Sequence, residues 1–225
     1  MKTSKLVQTV SSACVLALMT AAVSAEVSDK LKSRVDESAT VLTEIHAAPD
    51  KDVPKELWDR ATCVIVIPSL KKAAFVFGGE YGKGLMSCRK GGGWSAPVFM
   101  RLEKGSWGLQ IGAQSIDLVL LVNNERGMKK LLGNKVTLGA EASVAAGPVG
   151  RDARAATDAQ MNAEILSYSR AQGLFAGINL SGGVLRPDSD DNEDVYGKNV
   201  TATTILTGNT AAPAATQPFM NALRR

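Results

Sequence analysis

The run Asp188-Ser189-Asp190-Asp191-Asn192-Glu193-Asp194 holds the densest set of oxygen ligands in this chain. Asp188, Asp190, Asn192 and Asp194 fall at alternate positions, as in loops that wrap calcium. Glu193, however, stands where such a loop needs glycine, and Asn199 stands where it needs a bidentate glutamate. The run suits a helix start instead, because the positive end of the helix dipole favours acidic side chains, with Val195-Tyr196-Gly197 closing it. The single histidine, His46, ends a helical pattern, a place where histidine commonly meets the dipole, and no nucleophile elbow accompanies it. Zinc would need a Cys/His cluster that this composition cannot assemble. No catalytic residue, metal ligand or cofactor site is assigned, and the chain is expected to be non-enzymatic.

Residues 77–97, FGGEYGKGLMSCRKGGGWSAP, raise the possibility of a phosphate cradle. Such a loop needs a strand before it and a helix N-terminus after it. GGEYGKG instead runs on into LMSCRKGGGW, with no helical period and no Lys-Ser/Thr pair. The glycines are therefore read as turning hairpins, with AAFVFGG (73–79) and GLMSCRK (84–90) flanking a turn at EYGK. Basic side chains offer a different chemistry. The pairs Lys71-Lys72 and Arg89-Lys90, with Arg151 and Arg154, fall at strand ends or in loops, and Lys30, Lys32 and Arg34 flank an apolar helical stripe. Each is worth ~1 kcal/mol near a charged membrane surface.

The elements that would position these groups are read from periodicity. Residues 1–25 combine Lys2 and Lys5 with the apolar run ACVLALMTAAV and a small-residue site at Val23-Ser24-Ala25, and are expected to be a secretory signal peptide cleaved after Ala25. The mature protein is then periplasmic or secreted. Losing Lys2 and Lys5 lowers the net charge from +4 to about +2, too little to suggest nucleic acid as a partner. Cys14 leaves with the leader, so Cys63 and Cys88 form an even pair in an oxidising compartment, which predicts a disulfide between them; two buried free thiols are the alternative.

Residues 26–46 place Val27, Leu31, Val35, Val41, Leu42 and Ile45 on one side of an amphipathic helix, to face either lipid or the sheet. Pro54 predicts a short helix before Thr62, and Asn124 caps another that Gly133 stops. CVIVIP (63–68) reads as a strand closed by proline, KGS (104–106) as a turn, WGLQIGAQ (107–114) and KVTLGAEASVAAG (135–147) as alternating strands, and IDLVLLV (116–122) as a strand covered on both faces. A third hairpin centres on residue 172. The fold class is α+β: a mainly antiparallel, strongly curved sheet or barrel-like meander of about eight or nine strands, with flanking helices. Residues 209–225 are small and Pro-rich, and are expected to be a flexible tail with a helical turn near Phe219 and Leu223.

The order A-x-C-V-x-V-I-P, K-K-A-A-F-V-F-G-G-x-Y-G-x-G, S-C-R, G-W-S-A-P, S-W-G-L-Q-I-G, L-G-A-x-A-S-x-A-A-G-P-V-G-R and Y-S-R-A-x-G-L-F-A-G resembles the SYLF family of lipid-binding domains, from about residue 27 to residue 208. Eukaryotic members bind phosphoinositides, partly through an N-terminal amphipathic helix, and some bind actin; bacterial members are secreted and mostly stand-alone. The resemblance implies a lipid-binding domain over 26–208, with residues 26–46 in the position of the lipid helix. An exported bacterial member is expected to meet neither actin nor phosphoinositides in its own cell. The expected partner is an anionic phospholipid or another anionic amphiphile of the envelope, engaged by that helix together with Lys30, Lys32, Arg34, Lys71, Lys72, Arg89 and Lys90. A carrier of a lipophilic ligand and a structural homo-oligomer are the alternatives.

Overall fold

The computed structural model describes residues 27–47, 53–74, 77–107, 112–133, 135–149, 162–171 and 174–224. The expected signal peptide, Arg151 and Arg154 lie outside them. Ten strands are present among the described residues: β1 (Cys63–Ala74), β2 (Phe77–Lys90), β3 (Gly93–Trp94), β4 (Val98–Trp107), β5 (Gly112–Val122), β6 (Val136–Thr137), β7 (Val144–Ala146), β8 (Ile165–Ala171), β9 (Leu174–Gly177) and β10 (Val184–Pro187). Their order is β6-β10-β4-β2-β1-β5-β8-β7, with β3 beside β2 and β9 beside β8, and the sheet curls into a half-barrel. Pairing is antiparallel except between β7 and β8. Among the described residues six α-helices flank it: α1 (Asp29–His46), α2 (Lys55–Arg60), α3 (Glu125–Leu131), α4 (Ser189–Tyr196), α5 (Ala202–Thr207) and α6 (Gln217–Leu223). The expected α+β class with a mostly antiparallel, curved sheet is observed.

Both faces of the sheet are covered, which explains the near-continuous apolar texture of β1 and β5. Val64, Val66, Leu85, Phe99, Val119 and Leu121 pack with α1, α2 and α6. The alternate residues Ile65, Ile67, Met86, Met100, Leu118 and Leu120 pack on the other face with residues of α3 and α5. Leu31, Val35, Val41, Leu42 and Ile45 of α1 are all at most 3% exposed, so its apolar stripe belongs to the core. His46 closes α1 and meets Trp58 edge-on, with ring centroids 4.4 Å apart. Asn124 caps α3 by accepting from the Gly127 N–H, and the acidic run 188–194 begins α4, which ends at Gly197.

Several expectations are corrected. Pro68 does not close β1. The strand passes through it on a bulge, with register shifts between Val66 and Lys71 against β2 and between Ile67 and Leu70 against β5. Proline breaks the ladder because it has no N–H, and the strand absorbs the interruption as extra unpaired residues. Ser69 takes φ 52° there, and its N–H donates to Asp117 Oδ1 at 2.9 Å. Directly across lies EYGK, which is not a turn but the interior of β2. A Cβ on Gly84 would sit 1.8 Å from the Val66 carbonyl oxygen, and one on Gly82 2.6 Å from Ile67 Cγ2. These glycines permit close backbone approach under the bulge; they turn nothing. KGS likewise lies within β4, paired with residues 78–80 of β2. Residues 135–147 form two short strands, not one, separated by a turn at Gly139 with φ 85°.

The expected tail is, over its described residues 209–224, also not loose. Its helix α6 buries Phe219, Met220, Ala222 and Leu223 in the same core as the α1 stripe. Pro218 occupies the first turn of α6, where its missing N–H costs nothing.

Cys63 and Cys88 are Cα partners on β1 and β2, and a disulfide joins them. The neighbouring pair is hydrogen-bonded, Arg89 N–H to Thr62 O at 2.8 Å. The cysteines therefore occupy the non-hydrogen-bonded position, where opposed side chains approach closest.

Candidate functional site

A groove of about 590 Å³ lies between α1 and the strands β1 and β2, beside the bulge. Lys30 and Arg34 of α1, Pro68 and Lys71 of β1, and Tyr81 and Lys83 of β2 line it. Beyond the Pro68–Ser69 ridge a second groove of about 490 Å³ continues along α1. Its wall includes Arg170, which pairs with Asp117 at 3.4 Å and with Glu44.

The floor of the first groove is ionic. Lys83 Nζ lies 2.6 Å from Asp188 Oδ2 and 3.1 Å from Asp191 Oδ2, and Arg34 pairs with Asp191 from the α1 side. Helix α4 is pinned beneath by Asn192, which accepts from Phe99 N–H at 2.9 Å and donates to Phe99 O at 2.8 Å. Burial alone would push the Asp188 carboxyl upward. Lys83, Arg101 and the Asp191 N–H together outweigh burial and hold it below the ordinary value of 3.8. Burial likewise works against the charge on Lys83, and the two aspartates overcome it, raising its pKa above 10.5.

The other buried acid among the described residues, Glu164, is also held ionised. Burial opposes its charge, but Lys130 Nζ at 2.8 Å and Ser143 N–H at 2.9 Å prevail. Each of these two acids is paired with a lysine, Asp188 with Lys83 and Glu164 with Lys130.

The seven basic residues singled out from sequence divide. Lys30, Arg34 and Lys71 come together around the groove. Lys32 makes a surface pair with Asp29 at 3.7 Å. Lys72 comes next to Lys71 on a strand, so it projects from the opposite face, where it pairs with Glu80 at 3.3 Å. Arg89 lies 4.5 Å from the Trp94 ring centroid and donates to the carbonyls of Ala61 and Trp58, both at 3.0 Å. Lys90 holds Gly208 O and Asn209 Oδ1. Arg89 and Lys90 thus tie α2 and the segment after α5 to β2. Tyr81 and Lys83 went unnoticed in the sequence because EYGK read as a turn; treated as strand, their period of two puts both beside Lys71.

A half-barrel sheet filled on both faces, with an open groove beside its first helix, defines an α+β domain whose distinctive chemistry lies at its surface. A family model described as Ysc84, Las17-binding protein actin regulator, matches residues 103–225. The chain belongs to this family, the SYLF domains. An SH3 domain-containing protein of Schizosaccharomyces pombe is 39% identical over 164 residues, covering 71% of this chain and 38% of the relative. LAS seventeen-binding protein 3 of Saccharomyces cerevisiae is 34% identical over 203 residues, covering 86% and 44%. SH3 domain-containing YSC84-like protein 1 of Homo sapiens is 32% identical over 191 residues, covering 82% and 56%. The chain spans about half the length of these relatives.

Proposed function

We propose that this chain is a non-enzymatic domain of the bacterial envelope, exported through residues 1–25, that binds an anionic lipid surface. The contact is the rim of the groove, not the apolar stripe of α1, which is spent on the core. The observation that carries this reading is Tyr81, 45% exposed, directly across from Lys71 on the neighbouring strand and sharing the groove with Lys30. Tyrosine with flanking lysines suits the headgroup region, where the ring is half-buried and the ammonium groups meet phosphate. The relatives' names point to Las17 and actin regulation; an exported chain meets neither, and a lipid surface is the partner its groove chemistry supports.

Exported protein is expected to float with vesicles rich in phosphatidylglycerol and to ignore neutral phosphatidylcholine. Raising salt from about 0.1 M to 1 M shortens screening from ~10 Å to ~3 Å and should release it. Lys30→Glu with Lys71→Glu and Tyr81→Ala should abolish flotation at unchanged thermal stability. Arg89→Gln should lower stability and leave the flotation of folded protein intact. Binding that survives the triple substitution, or wild-type protein that stays with the unbound fraction, sinks the reading.

A further inference from the structure

The groove face of the sheet carries a row of cations that only strand pairing assembles. Lys83 on β2 is the Cα partner of Arg101 on β4, and Arg101 is the partner of Arg186 on β10. Direct partners project from the same face, and like charges placed opposite one another destabilise a sheet. The nearby acids do not balance the row. Arg34, Lys83, Arg101 and Arg186 share three carboxylates, Asp188, Asp191 and Glu103. Lys83 and Arg34 make the direct contacts to the two aspartates, and Arg101 acts on Asp188 only through its field. Arg186 Nη2 donates to Glu103 at 2.9 Å, which leaves Arg101 with the same Glu103 oxygen at 3.5 Å from its Nε. Arg101 makes no hydrogen bond among the described residues, and neither arginine Nε has a hydrogen-bond partner. The side chains are 25% and 35% exposed, although both Nε atoms are themselves buried.

We propose that Arg101 and Arg186 form a binding site for a phosphomonoester, with Lys83 as a fixed neighbouring charge. Each guanidinium presents several donors in a planar fork that matches phosphate oxygens. A phosphomonoester carries about −1.5 to −2 charge near pH 7, against one for a diester, and so relieves the excess charge of the row more completely. The phosphate can belong to a lipid headgroup such as phosphatidate or to a soluble metabolite. The lipid source rests on the surface reading above; the soluble source does not.

Vesicles containing phosphatidate and vesicles containing phosphatidylglycerol, matched for surface potential, separate monoester from diester recognition. Calorimetry with glycerol 3-phosphate tests the soluble source. Wild-type protein is expected to prefer phosphatidate. Arg101→Gln and Arg186→Gln should each weaken that binding about tenfold, as loss of a charged hydrogen bond predicts, while phosphatidylglycerol binding persists. Glu103→Gln should strengthen phosphatidate binding, because it frees Arg186 and adds to the charge excess, and this opposite sign cannot arise from misfolding. Glycerol 3-phosphate binding that both arginine variants lose, without vesicle binding, would keep the site and discard the membrane surface. Equal binding to both vesicle types with no glycerol 3-phosphate heat, or a preference that both arginine variants retain, overturns the proposal.

Discussion

Lys83→Met is expected to cost about 3 kcal/mol, because removing one partner of a buried ion pair leaves the other charge stranded. Asp188 is fully buried and depends on Lys83 at 2.6 Å. Urea unfolding should show the loss directly. Adding Asp188→Asn to Lys83→Met should recover part of it, since the uncompensated charge goes too; a double substitution as damaging as the sum of the singles would show that the two residues do not interact. The same pair sets a pH window. Asp188 has a folded pKa below 3.8, so its contribution is complete above that value and fades as pH falls toward the folded one. Lys83 has a folded pKa above 10.5, so its contribution is complete below that value and fades as pH rises through the folded one. Wild-type stability from this pair is thus flat between the two limits, and in Lys83→Met the acid limb should begin at higher pH.

Replacing Cys63 and Cys88 together with alanine is expected to cost about 3.5 kcal/mol on the chain-entropy account of a loop of this length. The two residues are 25 apart in sequence and join adjacent central strands. Both are buried, so reductant added to folded protein should leave the bond intact until unfolding exposes it. The urea midpoint of wild-type protein should drop when denaturation is carried out with reductant, and the double alanine variant should show no such dependence. Identical midpoints with and without reductant would mean that the bond constrains nothing.

What could be read from sequence was whatever depends on near neighbours. The stripe of α1 was visible because its residues recur with helical spacing, and the caps at Asn124 and Gly197 because each acts within its own turn. The destination of that stripe was not visible, since Phe219 and Leu223, which share its core, lie far along the chain and look like part of a loose tail. Gly82 and Gly84 illustrate the same limit. A glycine that turns a chain and a glycine that lets another strand pass close beneath carry identical local signals, and only the bulge at Pro68 and Ser69 distinguishes them. Lys71 and Lys72 were legible as a pair but belong to opposite faces, a consequence of strand alternation that needed only the right strand boundary. Arg101 and Arg186 could not be associated at all without the β4–β10 register.

Helices α1 and α6 share one core although residues 29–46 and 217–223 stand near opposite ends of the chain. That contact closes a loop spanning most of the described chain, and loop closure must precede the reward from burying either helix. During synthesis α1 emerges early but lacks its final neighbour until the last turn of helix is made. Under the export proposed above, the chain profits from this arrangement, because α1 gains its full packing only after the whole sequence has arrived on the far side.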